Sequence, residues 1–293
     1  MFVFKAAVLG AGTMGGEIAQ VIASADVPVV IKDVKQELVD AGLEKAREVT
    51  QGQLAGLVGK EKITQGQADA RLEEIFGLIA GTTEYEGFGD ADSVVEAVPE
   101  KMEVKRAVFA ELDEITPGHA ILASNTSALS ISEIGSATTR PDKVVGFHFF
   151  WPASVMRLIE VVEGDDTSEE TAQAAANFAM QIRKNPVRCA DQPGFVVNRV
   201  LMSAAAEIWR HQEESGQSPE EIDKEILEAK VTPMGPFFLA DMSGLDVTLH
   251  VASHMRESYG DRFYVHPMME ELVAAGKLGQ KTGEGYYRHG GEN

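Results

Sequence analysis

Cysteine is almost missing from this chain: there is one, Cys189, in 293 residues. A lone cysteine closes no intramolecular disulfide, which fits a reducing compartment and a cytoplasmic protein. Long apolar runs are missing as well. No segment approaches the roughly 20 residues of a membrane span. The first apolar stretch, Lys5-Ala6-Ala7-Val8-Leu9, reads as a strand rather than a secretory leader. Positive charge is scarce, with 26 Lys and Arg against 46 Asp and Glu and a net charge of −20. That balance excludes nucleic acid and anionic membrane surfaces as partners. It also requires that any anionic ligand be held by local basic residues. Aromatic residues make up 7% and hydrophobic residues 44%, the composition of an ordinary globular chain long enough for two domains. Repeats, low-complexity tracts and long charge blocks are absent. No metal is expected: His250 and His254 stand four apart on a helical stretch, but no third ligand is indicated. Cys189 lies in a short apolar run and reads as packing rather than as a nucleophile.

What is present begins with glycine. The strand ending at Leu9 runs straight into Gly10-Ala11-Gly12-Thr13-Met14-Gly15, and the helical stretch Glu17 to Ala23 follows. Glycine spacing of this kind is specific only between a strand and a helix, and both are here. Gly10 allows the tight turn, Gly12 lets a pyrophosphate approach the backbone, and Gly15 lets helix and strand pack closely. The helix N-terminus faces the phosphate charge. A second apolar run, Val27 to Lys32, ends at Asp33, eighteen residues beyond Gly15. An acidic side chain there binds ribose hydroxyls and repels a 2′-phosphate, so the cofactor expected is NAD. Lys32 beside it pulls the other way.

Strand and helix alternate through the first half, giving an α/β expectation. Helices are expected from about Gln36 to Gly56 and Gln65 to Ile75, as a projecting hairpin, and from Met102 to Ile115. Ser93 to Val98 and Ala120 to Ser124 read as buried strands. The latter ends in Asn125-Thr126-Ser127, a polar cluster at a strand's carboxyl edge, where ligands bind in open α/β sheets. Ser127 could equally cap the segment that follows. Ser168 to Ile182 reads as a helix and Pro186 to Cys189 as a short strand. Asp191-Gln192-Pro193-Gly194 reads as a boundary. Beyond it Val196 to Glu214, Pro219 to Glu228, Leu239 to Tyr259 and Pro267 to Ala275 read as helices. The expected division is therefore residues 1–190, α/β and dinucleotide-binding, and residues 191–293, all helical.

Two residues sit where burial should resist them. His148 ends the apolar run Val144-Val145-Gly146-Phe147, and Glu160 interrupts Leu158-Ile159-Glu160-Val161-Val162. A carboxylate in a buried strand costs several kcal/mol without a partner, and the nearest candidate is the imidazole on the neighbouring strand. A histidine held by a buried glutamate makes a general base that works near neutral pH. A purely structural ion pair is the alternative.

The order of these motifs resembles the L-3-hydroxyacyl-CoA dehydrogenase family over essentially the whole chain. The matching pieces are the glycine turn, Val98-Pro99-Glu100, Ser124-Asn125-Thr126-Ser127, His148-Phe149-Phe150 and Val155 to Val161. Further on come Pro193-Gly194-Phe195-Val196-Val197-Asn198-Arg199, Pro233-Met234-Gly235-Pro236 and Lys281-Thr282-Gly283-Glu284-Gly285-Tyr286-Tyr287. The resemblance implies a Rossmann-like domain, a helical domain carrying dimer contacts, and NAD-dependent, reversible oxidation of a 3-hydroxyacyl-CoA in fatty-acid metabolism. It implies His148 as base or acid, Glu160 as its orienting partner, Ser127 on the reacting oxygen or nicotinamide, and Asn198 on the substrate. Glu100, Lys105 and Lys281 match positions near the cofactor, and the hairpin with Lys60 and Lys62 would help hold coenzyme A. One residue departs from the pattern: where the family usually has Asn-Pro after His-Phe-Phe, this chain has Trp151-Pro152. An indole has one donor, no acceptor and more bulk than an amide. It opens the alternative of the same chemistry on a small hydroxy acid or aldehyde without coenzyme A.

Overall fold

The structure, a computed structural model, describes residues 2–290. It divides after Gln192 into the units Met1–Gln192 and Pro193–Asn293.

In the first unit, short runs of β-branched and small apolar residues make the strands, and periodic stretches between them make the helices. In order these are β1 (Ala6–Leu9), α1 (Thr13–Ala23), β2 (Val29–Lys32), α2 (Gln36–Gly59), α3 (Gln65–Phe76) and β3 (Ile79–Thr82). There follow β4 (Ser93–Glu96), α4 (Met102–Ile115), β5 (Ile121–Ser124), α5 (Ile131–Gly135), β6 (Val144–Phe149), β7 (Leu158–Glu163), α6 (Glu169–Gln181) and β8 (Asn185–Ala190). Among the described residues the strands form one sheet in the order β3-β2-β1-β4-β5-β6-β7-β8. Pairing is parallel except between β6 and β7. The order reverses between β1 and β4, the place where doubly wound sheets bind dinucleotides. Strand alternation sends Val145, Phe147, Phe149, Ile159 and Val161 into one core with Ile18 and Ile22 of α1 and Phe178 of α6. Phe147 stacks on Phe178 with ring centroids 5.6 Å apart. The hairpin begins its second helix with Thr64, which accepts from the Gln67 N–H while the Gln67 side chain takes the Thr64 N–H.

The second unit contains α7 (Val197–Ser215), α8 (Pro219–Glu228), α9 (Pro236–Ser243), α10 (Leu245–Tyr259) and α11 (Pro267–Ala274). Trp209, Ile222, Phe237, Leu245, Ala252 and Met269 bring all five into one core. The last segment folds back on α9, where buried Asp241 accepts from the backbone N–H groups of Tyr286 and Tyr287 at 2.9 and 2.8 Å.

Three expectations need correction. The helix expected over Leu239 to Tyr259 is two helices: Gly244, at φ +94°, breaks it, and the first begins earlier, at Pro236. The edge strand β3 was not expected, because Ile79-Ala80-Gly81-Thr82 is short, half exposed and interrupted by glycine. The serine capping α5 is Ser130, which accepts from the Glu133 N–H, and not Ser127.

Candidate active site

The glycine turn is shaped by close approaches. Gly10 has φ +101°, and a Cβ there would lie 2.5 Å from the Ala97 carbonyl oxygen; one on Gly15 would lie 1.7 Å from that of Gly10. Gly12 differs, since a Cβ on it would meet nothing within 4 Å. The turn thus has open space over the start of α1, which no side chain caps and whose first turn carries no acidic residue. Backbone N–H groups facing open space at a helix N-terminus suit a pyrophosphate, so the residues present fit the dinucleotide. Thr13 is exposed and Met14 half-buried in this first turn. Asp33, just past β2, accepts from the Ala11 N–H at 2.7 Å and from the Val34 N–H at 2.7 Å, which fixes its carboxylate against the turn. Lys32 points elsewhere, its ammonium 4.4 Å from the centre of the Tyr85 ring.

His148 and Glu160 face each other across the antiparallel ladder of β6 and β7, as register partners. Because Phe147, Phe149, Ile159 and Val161 fill the core on one face, alternation turns both polar side chains to the other. His148 Nδ1 lies 2.8 Å from Glu160 Oε2, with the residues 4% and 0% exposed. With Glu160 ionised, Nδ1 carries the proton it donates, so Nε2 carries the lone pair. The imidazole also packs on Phe150, ring centroids 4.6 Å apart. Trp151 is half exposed, and its peptide bond to Pro152 is cis.

At the end of β5, Asn125 Oδ1 accepts from the Phe149 N–H at 2.8 Å and so ties this turn to the strand of His148. Glu100 Oε1 accepts from Thr126 Oγ1 at 2.5 Å and from the Ser127 N–H at 2.9 Å. Lys105 is fully buried on α4 and donates to Glu96 at 2.7 Å, with Glu100 at 3.2 Å. The structure therefore brings Glu100, Lys105 and Ser127 into one cluster and places His148 with Glu160. Asn198 lies half-buried in the first turn of α7. Lys281 pairs with Asp246 in the second unit. Lys60 and Lys62 stand exposed at the turn between α2 and α3. His250 and His254 lie on α10, and the described residues hold no group of three potential metal ligands.

Sequence reasoning missed Glu96 and Ser124. Glu96 is buried at the end of β4, where its carboxylate accepts from Lys105, Ser124 Oγ and the Val98 N–H. The signal was there: Ser93-Val94-Val95-Glu96 is an apolar run closed by a carboxylate, the same pattern that singled out Glu160.

Two family models cover nearly the whole chain. The NAD binding domain of 3-hydroxyacyl-CoA dehydrogenase matches residues 5–192, and the C-terminal domain of 3-hydroxyacyl-CoA dehydrogenase matches residues 194–289. A probable 3-hydroxybutyryl-CoA dehydrogenase of Deinococcus radiodurans is 39% identical over 97% of this chain and 100% of its own length. A 3-hydroxybutyryl-CoA dehydrogenase of Clostridioides difficile is 40% identical over 97% and 98%. Among solved structures, the (S)-3-hydroxybutyryl-CoA dehydrogenase of Ralstonia eutropha superposes with a TM-score of 0.90 at 36% identity, covering 99% of this chain and 100% of its own.

Proposed function

Because this chain belongs to the 3-hydroxyacyl-CoA dehydrogenase family and is an NAD-dependent dehydrogenase, we propose that it interconverts a short-chain L-3-hydroxyacyl-CoA and its 3-oxoacyl-CoA by way of His148. The observation that carries the reading is the His148–Glu160 pair, 2.8 Å apart as cross-strand partners. When bound, NAD supplies the acceptor for the hydride that leaves C3. In oxidation the C3 hydroxyl proton passes to His148 Nε2 as the carbonyl forms. Glu160 holds the Nδ1 proton and stabilises the imidazolium that results. In the reverse direction the same imidazolium returns the proton to the new alkoxide. Ser127 hydrogen-bonds the reacting oxygen or the nicotinamide, and Asn198 the substrate. Gly10, Gly12, Thr13, Met14 and Gly15 hold the pyrophosphate, Asp33 the adenosine ribose, and Glu100, Lys105 and Lys281 support the cofactor. Lys60 and Lys62 take the anionic groups of coenzyme A, offsetting the charge of −20.

The working form in this reading is a homodimer in the cytoplasm, serving fatty-acid oxidation. Exposed Val200, Leu201, Val231, Leu239 and Val247 in the second unit support association. Among the described residues no helix is long and apolar enough to cross a membrane.

NADH absorbance, followed with acetoacetyl-CoA and free acetoacetate in parallel, tests the reading. Rapid oxidation with the thioester alone is expected. Turnover of the free acid instead would move the substrate to a small hydroxy acid and give half-exposed Trp151 the role of reshaping the pocket.

A further inference from the structure

Glu96 is a buried carboxylate that the chemistry above leaves unused. It ends β4 beside β1, at the edge where the strand order reverses and a dinucleotide lies. Its Oε1 accepts from Lys105 Nζ and the Val98 N–H, each at 2.7 Å, and its Oε2 from Ser124 Oγ at 2.6 Å. Lys105 reaches on to Glu100 Oε2 at 3.2 Å. The other Glu100 oxygen accepts from Thr126 Oγ1 and the Ser127 N–H, and the Thr126 N–H returns to Ser124 Oγ at 3.3 Å. The circuit Glu96–Lys105–Glu100–Thr126–Ser124 closes on itself beneath the turn that carries Ser127. Through Asn125 and the Phe149 N–H that turn is bound to the strand of His148. A buried ion pair is often no more stabilising than apolar residues of the same volume, so stability alone does not account for this one.

We propose that Glu96 is a positioning residue: through Lys105 and Ser124 it holds Glu100 and the Thr126–Ser127 turn in the geometry that cofactor and reacting oxygen require. The proposal rests on the roles given above to Glu100 and Ser127. Glu96→Gln keeps the shape and removes the charge. Ser124→Ala removes the neutral arm alone and leaves the Glu96–Lys105 pair intact, so it is the milder change of the two. Both are compared with the unsubstituted enzyme for NADH binding, by fluorescence titration, and for kcat and KM with acetoacetyl-CoA.

Glu96→Gln is expected to raise the Kd for NADH and lower kcat by about tenfold each, the scale of one hydrogen bond to a charged group. Ser124→Ala should move both the same way by about threefold. A purely structural role lowers the folded fraction, and with it the apparent kcat, but leaves the Kd of folded molecules unchanged. Wild-type Kd and kcat in both folded variants would overturn the proposal. So would an unfolded Glu96→Gln beside a Ser124→Ala of wild-type Kd and kcat. An inactive wild type would instead sink the thioester reading, and the NADH titration would still decide the role of Glu96.

Discussion

The two polar side chains buried in β6 and β7 were legible because they break a pattern. A histidine and a glutamate inside apolar, β-branched runs have no reason to be there unless they pair, and they lie 2.8 Å apart. Glu96 obeys the same rule but escaped notice. Its partners come from α4 and β5, and no single strand pair reveals them. The direction of Lys32 was equally out of reach, since it depends on Tyr85, which is far along the chain but stacked under the ammonium. At this scale the proposed roles make distinct demands. His148→Gln should bind NADH as the wild type does while kcat falls about a thousandfold, within the range assigned to general acid–base groups. Glu160→Gln keeps an acceptor for Nδ1–H but no charge to stabilise the imidazolium, so kcat should fall about a hundredfold, the upper end for one hydrogen bond to a charged group. Steady-state rates beside NADH titrations check both, and near-normal turnover in His148→Gln would remove it as the proton carrier.

Elements were legible where their periodicity was long or their ends were punctuated. The turn of α3 has its capping pair in Thr64 and Gln67, and α8 has Pro219 at its first position. What was not legible was an edge strand whose pairing with β2 supplies what its sequence lacks, and a helix broken at one glycine. The packing between helices of the second unit was likewise hidden. There His266, just before α11, bridges Tyr286 at 2.6 Å and Gln212 of α7 at 2.8 Å, and is 1% exposed. Burial pushes its imidazole down to about 4 from the usual 6.5. The folded chain therefore excludes a proton that the unfolded chain binds between those two values. Stability is fully present above pH 6.5 and falls as pH drops through this window, by about 3 kcal/mol at most. Urea melts at pH 7.5 and 4.5 should show the loss, and His266→Gln should flatten it. A slope unchanged in that variant would assign the acid sensitivity elsewhere.

For the molecule as a whole, charge sets the terms. A net −20 repels both itself and an anionic substrate, and the reach of that repulsion shrinks from about 30 Å at 0.01 M salt to about 8 Å at 0.15 M. Adding salt over this range should raise Tm and raise kcat/KM for acetoacetyl-CoA. A kcat/KM that falls instead would mean that local cations, Lys60 and Lys62 first among them, outweigh the global field. The sheet adds a consequence of a different kind. Among the described residues β6 and β7 make its one antiparallel seam, and His148 and Glu160 sit on opposite sides of it. β7 and β8 lie at the end of the sheet, joined to its other strands through that ladder. Opening that ladder would part His148 from Glu160, and because Ile159 and Val161 of β7 lie in the core with Phe147 and Phe178, it would open that core as well. The proposed pair thus stands or falls with one ladder backed by the core, so on heating its activity is expected to be lost together with the amide protection of β6 and β7, which hydrogen exchange followed beside turnover checks.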